Sequence, residues 1–343
     1  MLVIIFNYKE LIAVHMADVL VSPAVGGVFW IVSAYLTAKS SAVLKKSDDT
    51  GKTALMGVLA AFVFASQMIN FSIPGTGSSG HIGGGLLLSI FLGPERAFLS
   101  MVSILAVQAL FFADGGLLAL GCNIFNMGFF PCFIAYPFIY KKLSEKIGGT
   151  KGIFWGSLIA SIAGLTMGAF FVVLQTAFSG ITSLPVNIFL LLMLPIHFAI
   201  GAVEGFATAM VVIYVYSKMP GVLTESETES RHKEMKRAVA VFALLALVTG
   251  GLFAWYASSS PDGLEWSIEG VAGSAELEAP RSLLHSFSAL IQERFAPLPD
   301  YAFKNKATSE NMGTTVSGLV GSIITLTLAL ALGMFFRKRN GRP

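Results

Sequence analysis

Apolar runs of spanning length recur along this chain, separated by short polar breaks. A helix that crosses a bilayer needs about 20 apolar residues, and runs of that kind fall at roughly 24–38, 53–73, 97–113, 122–140, 152–177, 187–217, 238–256 and 316–336. A ninth run, 82–93, has only half the usual length. It is glycine-rich and ends at Gly93-Pro94-Glu95-Arg96. It reads as a short crossing, because irregular backbone at membrane depth is tolerated when protein packs around it.

The basic residues test this count. Lys39, Lys45, Lys46 and Lys52 fill one break, and Lys141, Lys142, Lys146 and Lys151 another. Lys218, Arg231, Lys233, Lys236 and Arg237 fill a third, Arg337, Lys338, Arg339 and Arg342 the tail, and Arg96 marks the remaining turn. With nine crossings these eighteen of the 23 basic residues share one side, the cytoplasmic side by the positive-inside bias. The N-terminus is then expected outside and the C-terminus inside. Removing the short crossing would put the 39–52 break opposite the 141–151 break.

Composition agrees. Charged residues make up 13% of the chain and mean hydropathy is +0.73, against about 25% charged in soluble domains. The expectation is an all-α polytopic membrane protein. A core of about seven helices (residues 14–217) is followed by a charged cytoplasmic linker (218–237). A two-helix unit (238–343) then carries a large polar extracytoplasmic loop, 257–315. Two cysteines exclude a disulfide framework, and Cys122 and Cys132, ten apart in one apolar run, lack metal-ligand spacing and read as small buried residues. Residues 1–13 fit neither a signal peptide nor an anchor, since Lys9 follows the apolar run Leu2 to Phe6 and no cleavage site comes after it. No phosphate-binding Gly-x-x-x-x-Gly-Lys-Ser/Thr loop is present, nor HExxH or GxSxG, so ATP hydrolysis by that route is excluded.

The candidate chemistry lies in the histidines, since histidine is the commonest metal ligand. Of five, His15, His81 and His285 fall on the predicted outer side, His232 in the inner linker and His197 in the seventh helix. His232 reads as solvated and His285 as a surface residue. His81 sits among glycines that let backbone approach a ligand closely, and its alternative is a buried, hydrogen-bonded histidine. His197 and Glu204 are two helical turns apart on one face. Ionisable groups at that depth point to function, and a second metal site, a polar pair and a contact sensing a coupling subunit all remain open. Gly57/Ala61/Ala65 and Gly201/Gly205 form small-residue stripes suited to internal packing or to docking a partner. Asp262, Glu265, Glu269, Glu276 and Glu278 make part of the outer loop acidic, which either draws cations or is ordinary solvated surface.

Several motifs then carry a resemblance. The run Ala60-Ala61-Phe62-Val63-Phe64-Ala65-Ser66-Gln67-Met68-Ile69-Asn70-Phe71 resembles the CbiM/NikM family, as do Ser79-Gly80-His81, Leu92-Gly93-Pro94, Phe112-Ala113-Asp114-Gly115-Gly116 and Asn123-Ile124-Phe125-Asn126-Met127-Gly128. These are substrate-binding membrane components of energy-coupling-factor transporters for cobalt and nickel. Ser260-Pro261-Asp262-Gly263-Leu264-Glu265-Trp266 and Pro297-Leu298-Pro299-Asp300-Tyr301 resemble the PDGLE domain of CbiN/NikN, a fused, NikMN-like layout.

The resemblance implies an importer of Ni(II) or Co(II) as transported substrate, with no resident cofactor. Nickel is the first expectation and cobalt feeding cobalamin biosynthesis the alternative. It implies partners: a CbiQ/NikQ-like transmembrane coupling protein and a CbiO/NikO-like ATPase. Family members begin Met-His, and their terminal amine, the amide nitrogen and imidazole of that histidine, and a later histidine bind the metal. The matching positions are Val14, His15 and His81. Valine stands where the family has its initiator; a GTG codon reads as valine internally and as methionine when it initiates, so translation is expected to start at codon 14. Four nitrogens in a plane suit Ni(II). Asp18, Gln67 and Asn70 are expected to orient the loop or the imidazoles, or else to cap helix ends. Asp114 is expected to cap the next helix or support the metal loop.

Overall fold

The computed structural model describes residues 9–10, 15–46, 49–223, 229–274, 277–278, 282–304 and 310–337. Eleven helices lie in this part of the chain. We number them α1 (Pro23–Leu44), α2 (Thr50–Gln67), α3 (Gly85–Leu92), α4 (Pro94–Phe111), α5 (Leu120–Ile147), α6 (Gly149–Ser179), α7 (Val186–Lys218), α8 (Glu229–Gly251), α9 (Gly263–Ala272), α10 (Leu283–Phe295) and α11 (Glu310–Phe336). Two short antiparallel pairs accompany them: β1 (Lys9–Glu10) with β4 (Leu277–Glu278), and the hairpin β2 (Phe71–Ile73) with β3 (Ser78–Gly80). Six helices, α1, α4, α5, α6, α7 and α11, are long and apolar enough to cross a membrane. The protein is an all-α multi-pass membrane protein.

Local chemistry sets the helix starts. Ser22 accepts from the Val25 N–H with Pro23 at the first helical position of α1, and Asp49 accepts from the Lys52 N–H at the start of α2. The predicted short crossing is smaller still. Only Gly85–Leu92 is helical, and Leu86, Leu88 and Phe91 are buried in protein. Its backbone therefore never meets lipid unsatisfied. Pro131 and Pro137 sit inside α5, where Phe125–Tyr140 widens into a π-helix. A proline has no N–H to give, so the ladder must re-form around it.

Three boundaries differ from the sequence reading. The second run stops as a helix at Gln67, and Phe71–Ile73 turns into a strand. The charged linker is already helical from Glu229, with Arg231 buried and paired to Asp49 at 2.6 Å. The polar loop after α8 is not loose: it carries α9 and α10.

Both small-residue stripes are used internally. A Cβ at Gly57 would meet Leu326 of α11 at 3.2 Å, and Cβ atoms at Gly201 and Gly205 would meet α6 backbone at 2.7 and 2.6 Å. α8 and α11 thus pack into the first seven helices, with Phe242 of α8 against Phe62 and Phe91. At one end of the bundle Asp49, Arg231 and the Lys45–Phe336 contact meet. At the other end the segment before α1, the hairpin, α9 and α10 converge on His15 and His81.

Candidate metal site

Residues 15–21 form a buried segment with a single short 3-10 turn at Asp18–Leu20, and buried backbone needs partners. Asn123 supplies two: its Oδ1 accepts from the Met16 N–H (3.1 Å) and its Nδ2 donates to the Met16 carbonyl (3.0 Å). Asp18 accepts from the Ala119 N–H at 2.8 Å and from the Ser288 hydroxyl. Burial pushes the Asp18 carboxyl above its ordinary range. His285 of α10 donates from Nε2 to the carbonyls of Asp18 (3.1 Å) and Val21 (3.0 Å), while its Nδ1 accepts from Ser282. The expectation of a surface His285 is therefore corrected: α10 buries it against this segment.

His15 is held by one carboxylate. Its Nδ1 lies 2.9 Å and its backbone nitrogen 3.3 Å from Asp114 Oδ1. The other oxygen, Oδ2, accepts from the Tyr301 hydroxyl at 2.5 Å. Burial pushes the Asp114 carboxyl up, but the His15 imidazole and the hydrogen bonds outweigh it, so the group sits below its ordinary value. An ionised carboxylate only accepts, so Nδ1 carries a proton toward Asp114 and Nε2 is the ring nitrogen left unengaged. That Nε2 is buried without a hydrogen-bond partner. Tyr301 stacks on Phe112 with ring centroids 4.8 Å apart. Ala113 (φ 52°), Asp300 (φ 51°) and Tyr301 (φ 58°) are the non-glycine residues with positive φ among those described, and all adjoin this contact. Backbone strain of this kind collects at functional sites.

His81 is held differently. It follows β3, whose Ser79 N–H donates to the Pro261 carbonyl (2.7 Å) and whose Ser79 hydroxyl donates to that of Ser260 (2.7 Å). The PDGLE residues thus lie along the hairpin. Within them Asp262 and Glu265 form a capping box at the start of α9, and Asp262 is buried. These two carboxylates serve the helix and not a solvated acidic surface. His81 Nδ1 donates to the neighbouring Ile82 carbonyl at 3.1 Å, leaving Nε2 with its lone pair. Burial, with the nearby His15, lowers the His81 pKa to about 4, so the ring is neutral at pH 7.

The two rings face each other with centroids 5.5 Å apart. Both line one cavity of about 100 Å³ that continues between α5, α6 and α7 to His197 and Glu204. His197 Nδ1 donates to the Met193 carbonyl at 2.8 Å, and Asn126 and Gln175 exchange two amide hydrogen bonds at the wall. Among the described residues no three His, Cys, Asp or Glu side chains gather as a metal cage. The site offers two imidazoles and has to draw any further donors from backbone or water.

The sequence-derived residues divide accordingly. His15, His81, Asp114, His197 and Glu204 belong to one site, and Asp114 supports His15 instead of capping a helix. Gln67 donates to the Gly83 carbonyl at 2.8 Å, just after His81. Asp18 orients the His15 segment and not an imidazole. Asn70 reaches neither histidine: its Oδ1 is buried without a hydrogen-bond partner and its carbonyl accepts from the Ser258 N–H. Val14 and Glu276 lie outside the described residues. Gln108 and Ser288 were not singled out from sequence, Asn123 and Tyr301 entered only as members of motifs, and His285 was read as surface. A polar side chain inside an apolar run was the available signal for Asn123 and Gln108.

Known proteins supply the family. A model of the "Cobalt uptake substrate-specific transmembrane region", CbiM, matches residues 15–222, and a PDGLE domain model matches 236–338. The chain belongs to the CbiM family. "Putative fused nickel transport protein NikMN" of Archaeoglobus fulgidus is 33% identical over 323 residues, covering 94% of this chain and 99% of that protein. "Fused nickel transport protein NikMN" of Rhodobacter capsulatus is 27% identical and covers 93% and 97%. A crystal structure of a transition metal transporter superposes with a TM-score of 0.54 at 27% identity, covering 65% of this chain and 98% of the other. In this CbiM-family chain the site draws on both matched regions: His15, His81, Asp114 and Asn123 from the first, Pro261, His285, Ser288 and Tyr301 from the second.

Proposed function

We propose that the chain is the substrate-binding membrane subunit of an importer for a divalent transition-metal ion, Ni(II) ahead of Co(II). The observation that carries this reading is the facing pair His15 and His81. A metal-binding histidine usually gives its second ring N–H to a carboxylate or a carbonyl, and both rings are arranged so. Imidazole suits Ni(II) and Co(II). Similarity over nearly full length to fused nickel transport proteins supports nickel.

The ion arrives from the extracytoplasmic side and exchanges water for the two Nε2 atoms, beneath the cover formed by the hairpin, α9 and α10. An α-amine at Val14 would add a third nitrogen. Release inward relies on a CbiQ/NikQ-like coupling protein and a CbiO/NikO-like ATPase, since this chain has no nucleotide site of the phosphate-loop type. The basic ends of the helices face the cytoplasm in this reading.

The test is Ni(II) and Co(II) titration of the purified chain, both full length and beginning at position 14. His15→Ala and His81→Ala are each expected to weaken binding by at least about 100-fold, as loss of one of few strong ligands does. Unchanged binding in either would overturn the reading. Glu204, a carboxylate inside a spanning helix, also suits an ion-coupled carrier. Uptake that survives deletion of the ATPase would favour that second reading.

A further inference from the structure

Glu204 lies near the middle of α7 and is 1% exposed. A carboxylate is costly at membrane depth unless its oxygens are satisfied. Here they take two successive backbone donors: Gly83 N–H to Oε2 at 2.7 Å and Gly84 N–H to Oε1 at 3.3 Å. Gly84 has φ +76°, and a Cβ there would stand 2.4 Å from Val63, so only glycine turns its N–H this way. On the opposite edge of the same turn the Gly83 carbonyl accepts from Gln67 Nε2, and Gln67 Oε1 accepts from Gln108 Nε2 at 2.9 Å. The turn between His81 and α3 is thus gripped from α7 on one side and from α2 and α4 on the other. The Ile82 carbonyl inside it fixes the proton and the direction of the His81 ring.

We propose that Glu204 is a positioning residue for the metal site: through Gly83 and Gly84 it sets the aim of His81 Nε2 and ties that aim to the position of α7. The inference rests on the metal-binding reading above. It gives the membrane carboxylate a role that needs neither a proton nor an ion bound to it. A shift of α7 against α2 would move His81 relative to His15 and open the pair toward the cavity that both Glu204 and His197 line.

The experiment compares the full chain with Glu204→Gln, which keeps the shape but offers only one accepting oxygen. Cu(II) is the probe, because pulsed EPR counts coordinated imidazoles through their remote nitrogens; Ni(II) affinity is measured alongside. The expected result is two imidazoles in the parent chain and one in Glu204→Gln. Ni(II) affinity should fall by about 10- to 100-fold, as loss of an orienting partner does, with the metal-free melting temperature changed little. Two imidazoles in both proteins with affinities within about twofold overturn the proposal. A parent chain that binds neither ion overturns the metal reading itself, and this inference with it. Should Glu204→Gln fail to fold, hydrogen exchange on the parent chain decides: slow exchange at the Gly83 and Gly84 amides supports the grip, and fast exchange in the folded protein overturns it.

Discussion

The two histidines of the site are anchored by opposite means. His15 leans on a side chain from a distant loop, Asp114, which is itself fixed by Tyr301 of the C-terminal unit. His81 leans on its own backbone, which is fixed from inside the first seven helices by Glu204 and Gln67. One histidine is therefore tied to the C-terminal unit and the other to the membrane core. The difference separates two supports: the C-terminal unit holds the partner of His15, while α2 and α7 hold the turn that follows His81.

The strongest way to break this comparison is Asp114→Asn. The amide keeps the size but removes the charge that holds the Nδ1 proton, so Ni(II) affinity is expected to drop by about 10- to 100-fold. Copper EPR should then show the His15 imidazole lost and the His81 imidazole kept, the reverse of Glu204→Gln. Loss of both rings together would mean that the anchors are not separate.

Tyr301→Phe asks less of the site. The ring still stacks on Phe112, and only the hydroxyl bond to Asp114 goes. A few-fold loss of Ni(II) affinity is expected, with a stability change on the order of 1 kcal/mol, the net worth of one hydrogen bond. Calorimetric titration and thermal melting measure the two. An unchanged affinity would remove the C-terminal unit from the control of His15.

The prediction that needs no metal is a pH dependence. His81 in the fold resists protonation down to about 4, whereas in the unfolded chain it takes a proton near its ordinary value of about 6.5. Between those values the unfolded state binds more protons, so metal-free stability falls as pH drops through that window. Asp18 and Asp300, whose carboxyls burial raises, act in the opposite sense at the acid end. The measurement is therefore the difference between parent and His81→Ala melting curves at each pH. Parallel curves from pH 6.5 to 4 would show that His81 is not held neutral.

Much of this architecture was legible in the chain. All nine apolar runs contain helix, and the shortest of them is the one packed wholly in protein. His81, His15 and Asp114 were visible as polar residues in apolar or glycine-rich surroundings. The errors came from surface-like segments. His285 reads as an exposed residue of an amphipathic stretch because its neighbours Leu283, Leu284 and Phe287 are themselves exposed. Asp262 and Glu265 read as acidic surface because a capping box and an acidic loop have the same composition.

The sequence by itself determined the apolar segments and the polar residues set among them, because each depends on a residue and its near neighbours. The tertiary structure alone decided which ring nitrogens are free, that one carboxylate grips His15 and another the turn after His81, and that the second unit reaches the first at Asp18 and Asp114. His15 meets Asp114 across 99 positions, Gly83 meets Glu204 across 121 and Asp114 meets Tyr301 across 187. No local period encodes such pairings. They exist because buried polar groups must find partners, and folding alone settles which partners come within reach.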